Sequence, residues 1–379
     1  MRVLVEGSGG AAGWPQPGCR CASCLRHAAA GNIRARSTVL VDGLVRLGPG
    51  DADPADAGPV DVGPADAGPV GAAGAYRVRR LADAREPGQA GGWDLTAPDG
   101  GRLLYPARPG AVPVPPAGAG AYDIAFLDLL GEPAQLGLLR ARGLVTAATV
   151  TAVAFADHRV PSEGELRRRC GFWQAELPGD GDAVSTGRSA ERGTEGGLGR
   201  PWRVLVLGGA RSGKSGQAEL RLAGEPEVTY VAAGAAGMGA GDPEWAARVA
   251  AHRARRPAWW RTVETTDLPG VLGGARGALL VDGIGTWLAA VMDECGAWDG
   301  TAEAAGRLAA EVAGLISAWR QTEARVVAVS DETGLGVVPG TPAGRLFRDE
   351  LGRLNQALAA ESEETELVVA GRIVPLPAG

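Results

Sequence analysis

Lysine is all but missing from this chain. One residue in 379, Lys214, carries an ε-ammonium, and the other 37 of its 38 basic residues are arginines. With that lysine committed elsewhere, an N-K-x-D motif for reading guanine cannot be present, which excludes a GTP switch of the usual kind. An excess of positive charge is missing too. The net charge is −6 and the isoelectric point about 5.3; a surface acidic overall repels a polyanion, so no nucleic-acid partner is expected. No apolar run approaches the ~18 residues that cross a bilayer, so no membrane span is expected either. Phenylalanine and tyrosine number four each, which leaves ten tryptophans and scattered Leu/Val runs to supply core bulk. The five cysteines are an odd count, which favours metal-bound or free thiols in a reducing compartment over a disulfide framework. Met1–Gly7 reads as a strand running into a glycine turn and not as a signal peptide, so a cytoplasmic protein is expected.

A length of 379 residues leaves room for two domains, each able to bury its own core. Residues 1–178 read as a first, α+β domain. A strand is followed by a Gly/Pro loop with three cysteines, and further strands are expected at Thr38–Asp42, Ile124–Leu129 and Val150–Phe155. Asp51–Gly74 is low-complexity Asp/Ala/Gly/Pro with one local duplication, and it predicts a flexible surface insertion. Residues 179–200, rich in Gly, Ser, Arg and Glu, read as a linker. From 201 to 379, apolar strand candidates alternate with helical patterns: Arg203–Leu207, Val228–Ala232, Ala278–Val281, Val326–Ser330 and Leu367–Ala370. That alternation predicts an α/β domain with a mostly parallel sheet covered on both faces.

The lone lysine sits in GGARSGKS at 208–215, which fits G-x-x-x-x-G-K-[ST] without a mismatch. The loop follows the first strand of the second domain and leads into a helix, the place where backbone N–H groups form a concave anion site. The residues assigned to it are Gly208, Gly209, Ala210, Arg211, Ser212, Gly213, Lys214 and Ser215. Lys214 is a compact charge able to reach the β- and γ-phosphates of ATP or GTP, and the Ser215 hydroxyl can ligate Mg²⁺. Asp282 ends an apolar strand and is the candidate second anchor for that metal. Farther on, Asp242 can cap a helix that begins at Pro243 and is forced to end by Pro257. Arg248, His252 and Arg255 or Arg256 share one face of it, where arginines could clamp phosphate around a histidine nucleophile.

The second domain resembles the bifunctional adenosylcobinamide kinase/adenosylcobinamide-phosphate guanylyltransferases. The segments that carry the resemblance are GGARSGKS at 208–215, RVAAHRARRPAWWRTVE at 248–264, LLVDGIGTWL at 279–288, VSDETGLGVVP at 329–339, GRLFRDELGRLNQAL at 344–358 and LVVAGRIVPL at 367–376. The resemblance implies that adenosylcobinamide takes a phosphoryl group from ATP or GTP. A histidine then carries GMP from GTP to the new phosphate. His252 matches the family nucleophile, and Ala251 stands where some relatives carry a second histidine. Ala232, Ala233, Gly234, Arg253, Ala254, Arg255, Arg256, Glu264 and Asp282 match nucleotide-contacting positions. The family usually has Asn where Asp331 stands and Cys where Gly283 stands. A trimer is implied by the same resemblance. The alternative reading is a P-loop GTPase/ATPase accessory protein or metal chaperone.

In the first domain, Cys19, Cys21 and Cys24 form a C-x-C-x-x-C cluster that suits a tetrahedral Zn²⁺ site with a fourth ligand from a distance. His158 is the leading candidate, with Cys170 and His27 behind it. The opening segment resembles metallo-β-lactamase-fold hydrolases of the phosphodiesterase kind, in which such a cysteine trio and a distal histidine hold structural zinc. The hydrolytic site of that fold requires an H-x-H-x-D-H motif. His27 and His158 are the only histidines before residue 200, so this domain is expected to be degenerate and non-hydrolytic.

Overall fold

The computed structural model describes residues 1–49, 75–186, 202–234, 247, 250 and 253–377. The expected insertion at 51–74, residues 187–200 of the expected linker, and Asp242, Arg248, Ala251 and His252 lie outside the described residues. The chain divides into two compact units, Met1–Glu195 with Ala223–Pro226, and Gly196–Leu222 with Glu227–Gly379.

The N-terminal unit contains β1 (Arg2–Gly7), α1 (Ala22–Ala29), β2 (Thr38–Val41), β3 (Val45–Leu47), β4 (Arg77–Ala82), β5 (Ala90–Thr96), β6 (Arg102–Pro106), β7 (Ile124–Leu127), α2 (Ala134–Ala141), β8 (Val150–Val153), α3 (Glu163–Trp173) and β9 (Ala183–Ser185). They form an antiparallel sheet, β3-β2-β1-β9, and a mixed sheet, β4-β5-β6-β7-β8. One core joins the two: Val3, Val5, Val39 and Val41 pack with Leu95, Leu103, Tyr105, Ile124 and Phe126. Period-two side-chain alternation lets β1 and β2 send the valine at every second position into it. Two features differ from the sequence expectation. Strands β4–β6 occupy a stretch with no clear strand signal, because three arginines in β4 and two glycines in β5 mask the alternation. Strand β9 falls inside the expected linker; it pairs antiparallel with β1, which carries the unit past residue 178.

The C-terminal unit contains β10 (Trp202–Gly208), α4 (Lys214–Leu222), β11 (Val228–Ala233), β12 (Arg261–Thr265), α5 (Leu268–Gly274), β13 (Ala278–Asp282), α6 (Ile284–Cys295), α7 (Ala302–Gln321), β14 (Arg325–Asp331), α8 (Pro342–Ala360), β15 (Glu364–Val369) and β16 (Arg372–Leu376). Its sheet runs β12-β11-β13-β14-β10-β15-β16 and is parallel except for the last pair. The expected parallel sheet with both faces covered is therefore observed. On one face Leu205 and Leu207 pack with Trp287, Leu315, Trp319 and Leu354 from α6, α7 and α8. On the other, Val204 and Val206 pack with Ala218 and Leu222 of α4. Tryptophan does supply core bulk, since Trp14, Trp173, Trp287 and Trp319 are fully buried. No helix among the described residues is long and apolar enough to cross a membrane.

Candidate active site

The glycine-rich turn joins β10 to α4, at the carboxyl end of the parallel strands where ligand crevices form in such sheets. Two positions need glycine. A Cβ on Gly208 would stand 2.5 Å from Ser212 Oγ and 2.8 Å from the Val368 carbonyl, and Gly213 holds φ +99°, a region that side chains avoid. The turn is braced by hydrogen bonds from Ser212 N to Gly209 O (3.2 Å) and from Gly371 N to Ser212 O (2.7 Å). Lys214 is the first residue of α4, so the turn runs directly into the first-turn amides and positive dipole end of a helix. It donates to Gly209 O at 3.1 Å and pairs with Asp331 Oδ1 at 2.8 Å. Three elements thus meet at this amine: the turn, α4 and the tip of β14.

The strand tips beside the turn gather most of the other expected residues. Ala232 on β11 lies in register with Glu264 on β12 and with Asp282 on β13. Gly234 N donates to Thr265 O at 3.2 Å. Asp282 Oδ2 accepts a hydrogen bond from the Tyr230 hydroxyl at 2.6 Å. Burial, reinforced by that carboxylate, pushes the Tyr230 phenol well above its ordinary range, so the tyrosine stays a donor. Residues 253–255 are helical and the helix stops before Pro257, as expected. The arginines there do not stand open as a clamp. Arg253 pairs with Glu264 (3.0 Å), Arg255 makes a two-point contact with Glu219 on α4 (3.1 and 3.2 Å), and Arg256 stacks over the Tyr230 ring, 3.6 Å from its centroid. The Glu219 contact holds the Arg255 guanidinium above its usual pKa. Three contacts therefore tie this segment to α4, β11 and β12. His252 precedes it by one residue and lies outside the described residues.

A second constellation occupies the N-terminal unit. The ligand atoms of Cys19, Cys21, Cys24 and His158 all lie within 4.8 Å of one another, and this is the metal-competent group found among the described residues. His158, the leading candidate for the fourth ligand ahead of Cys170 and His27, lies in the loop after β8 and belongs to this group. His27 is stacked on Trp14 with centroids 3.8 Å apart, and Cys170 is buried on α3. Backbone N–H groups already serve the sulfurs: Cys24 N donates to Cys21 Sγ and Gln16 N to Cys24 Sγ, each at 3.4 Å. The first of these lowers the Cys21 thiol pKa, while burial pushes Cys24 up to about 11. His158 Nδ1 is buried and has no hydrogen-bond partner among the described residues.

Residues 204–376 match the family model described as cobinamide kinase / cobinamide phosphate guanyltransferase. The chain is 43% identical over 182 residues to the bifunctional adenosylcobalamin biosynthesis protein CobP of Pseudomonas aeruginosa, covering 96% of that protein and 46% of this chain. It is 38% identical over 183 residues to the protein CobU of Salmonella typhimurium, again covering 96% of the relative. The chain belongs to this family. The kinase/guanyltransferase region corresponds to the C-terminal unit and takes in the glycine-rich turn, the Arg253–Arg256 segment and both strand-tip aspartates. Within it, sequence reasoning missed Tyr230, Glu219 and the pairing of Asp331 with Lys214. An aromatic hydroxyl on the strand beside Asp282 was the available signal for the first. The other two depend on which strand and helix become neighbours.

Proposed function

We propose that the C-terminal unit carries out two transfers at one nucleotide site, phosphorylating adenosylcobinamide and then adding GMP from GTP. In the first, the glycine-rich turn and the N-terminus of α4 hold the triphosphate while Lys214 moves from Asp331 to the β- and γ-phosphates. The hydroxyl of the aminopropanol arm attacks the γ-phosphorus, and the bond to the β-phosphate oxygen breaks. Ser215 and Asp282 offer the hard oxygen donors that would hold Mg²⁺, and the ion would supply charge neutralisation for the triphosphate. In the second transfer, His252 attacks the α-phosphorus of GTP and pyrophosphate leaves. The phosphate of the modified cobinamide then displaces the imidazole, giving adenosylcobinamide-GDP and restoring the histidine.

The observation that carries this reading is the threefold tether of Arg253, Arg255 and Arg256 to β12, to α4, the helix that the nucleotide turn leads into, and to β11. It keeps the residue next to His252 beside the strand tips. The test is incubation of the full chain with α-labelled GTP. Wild type is expected to retain acid-labile, alkali-stable label after denaturation, and adenosylcobinamide phosphate should chase it off. His252→Ala should abolish the label; label retained in that variant moves the nucleophile elsewhere. Nucleotide hydrolysis without any labelled protein supports a P-loop accessory role instead.

For the N-terminal unit we propose a degenerate metallo-β-lactamase-like module held by structural zinc. Its two sheets around one core and its cysteine–histidine group support this reading. A tetrahedral zinc with bonds of about 2.0–2.3 Å has ligand atoms roughly 3.3–3.8 Å apart. The 4.8 Å limit on the separations of the four ligand atoms is compatible with that spacing, and thiolate donors of this kind persist in a reducing cytoplasm. We also propose a homo-oligomer, a trimer by resemblance to the family.

A further inference from the structure

The ion pair that holds Lys214 bears on how a nucleotide can enter. Asp331 ends β14, the strand lying between β10 and the Asp282 strand β13, and its register partner on β10 is Gly208, where the turn begins. Its Oδ1 is 2.8 Å from Lys214 Nζ, and its Oδ2 lies at the first turn of α6, 3.4 Å from where a Cβ on Gly285 would stand. The position is fixed from behind. Asn355 on α8 donates to the Asp331 carbonyl at 3.0 Å and accepts the Ser330 hydroxyl at 2.6 Å, and both Ser330 and Asn355 are buried. That network fixes the Asp331 backbone at the strand tip, so its carboxylate stays within one side chain's reach of the turn.

We propose that Asp331 makes triphosphate binding conditional on a divalent cation. The inference rests on the nucleotide-site reading above. When no phosphate engages Lys214, Asp331 holds it. A triphosphate that takes the amine leaves this carboxylate facing several phosphate charges, and like charges this close repel unless a cation stands between them. The turn's amides hold phosphate oxygens but do nothing to offset the carboxylate.

The test is binding of a non-hydrolysable GTP analogue to the full chain by calorimetry, in saturating Mg²⁺ and in excess EDTA. Wild type is expected to lose roughly thirtyfold or more in affinity without Mg²⁺, and Asp331→Asn to lose about threefold or less. Asp331→Ala should follow Asp331→Asn in EDTA, because the charge and not the shape is at issue. Thermal melts of the three proteins verify that each is folded. Equal Mg²⁺ dependence in wild type and Asp331→Asn overturns the proposal. So does a variant that binds as weakly as wild type in EDTA and also loses affinity in Mg²⁺, since Asp331 is then simply a ligand. Failure of wild type to bind the analogue even with Mg²⁺ sinks the underlying nucleotide reading instead.

Discussion

Lys214 is the residue at which composition and geometry agree. The chain uses arginine for every other basic position, yet keeps one ammonium at the start of α4. A guanidinium is planar and forked and cannot rotate three donors between two phosphates as an ammonium can. Lys214→Ala is therefore expected to lower single-turnover phosphoryl transfer by about 10²- to 10³-fold, in line with loss of one preorganised charge donor. Lys214→Arg should keep the charge and still fall at least roughly tenfold short of wild type. Rapid-quench measurement with γ-labelled nucleotide checks both, and an arginine variant as fast as wild type removes the geometric argument. His252 belongs to the same scale, but the sequence made it legible in a different way. Its role rests on resemblance and on the tether of its neighbours, whereas Lys214 can be read from scarcity and spacing alone.

Helix α4 is held to the sheet by more than its apolar face. Arg221 on α4 is buried at 4% exposure and its Nη2 lies 2.6 Å from Glu366 Oε1 on β15, with Glu364 as a second, more exposed partner. Burial alone lowers an arginine pKa, but the two carboxylates outweigh it and hold Arg221 above its ordinary value. Removing one member of a buried pair strands the other charge, at a cost of roughly 3–5 kcal/mol. Arg221→Ala should therefore shift the denaturation midpoint of the C-terminal unit strongly downward. Adding Glu366→Gln to that variant should recover part of the loss, because the stranded charge is gone. Urea titration of both variants measures this, and an additive loss in the double variant rules out the pairing as the cause. None of these partnerships was visible beforehand. The strands β10, β11, β13 and β14 were legible as apolar runs, and α4 followed from the glycine-rich turn. Pairs such as Arg221 with Glu366, or Lys214 with Asp331, join segments far apart in sequence and exist only because β14 and β15 flank β10. Strand β12 was hidden by its polarity, since Val263 is the one apolar residue in Arg261-Thr262-Val263-Glu264-Thr265.

On the scale of the whole molecule, the relatives account for 44–46% of the chain, all of it in the C-terminal region, and the site described there draws only on residues of that unit. The core of the N-terminal unit contains Tyr76, Trp93, Tyr105, Phe126 and Phe155 beside its valines and leucines, and the loop that carries the cysteines is rich in glycine and proline. Structural zinc sites contribute about 10–16 kcal/mol of binding free energy in small domains, comparable with the roughly 5–15 kcal/mol that keeps a whole domain folded. A zinc held by Cys19, Cys21, Cys24 and His158 would join the loop before α1 to the loop after β8 and dominate the stability of this unit. Mass spectrometry under native conditions should find one zinc per chain in wild type and none in Cys21→Ser. Chelation of wild type should lower one thermal transition steeply, and Cys21→Ser should show that lowered transition without chelator. Guanylyl labelling should persist in the Cys21→Ser variant, because no residue of the nucleotide site belongs to the unit that loses its metal. A wild-type chain free of zinc, with a melt indifferent to chelator, leaves the four side chains as an unliganded cluster and returns the stability of this unit to its two sheets alone.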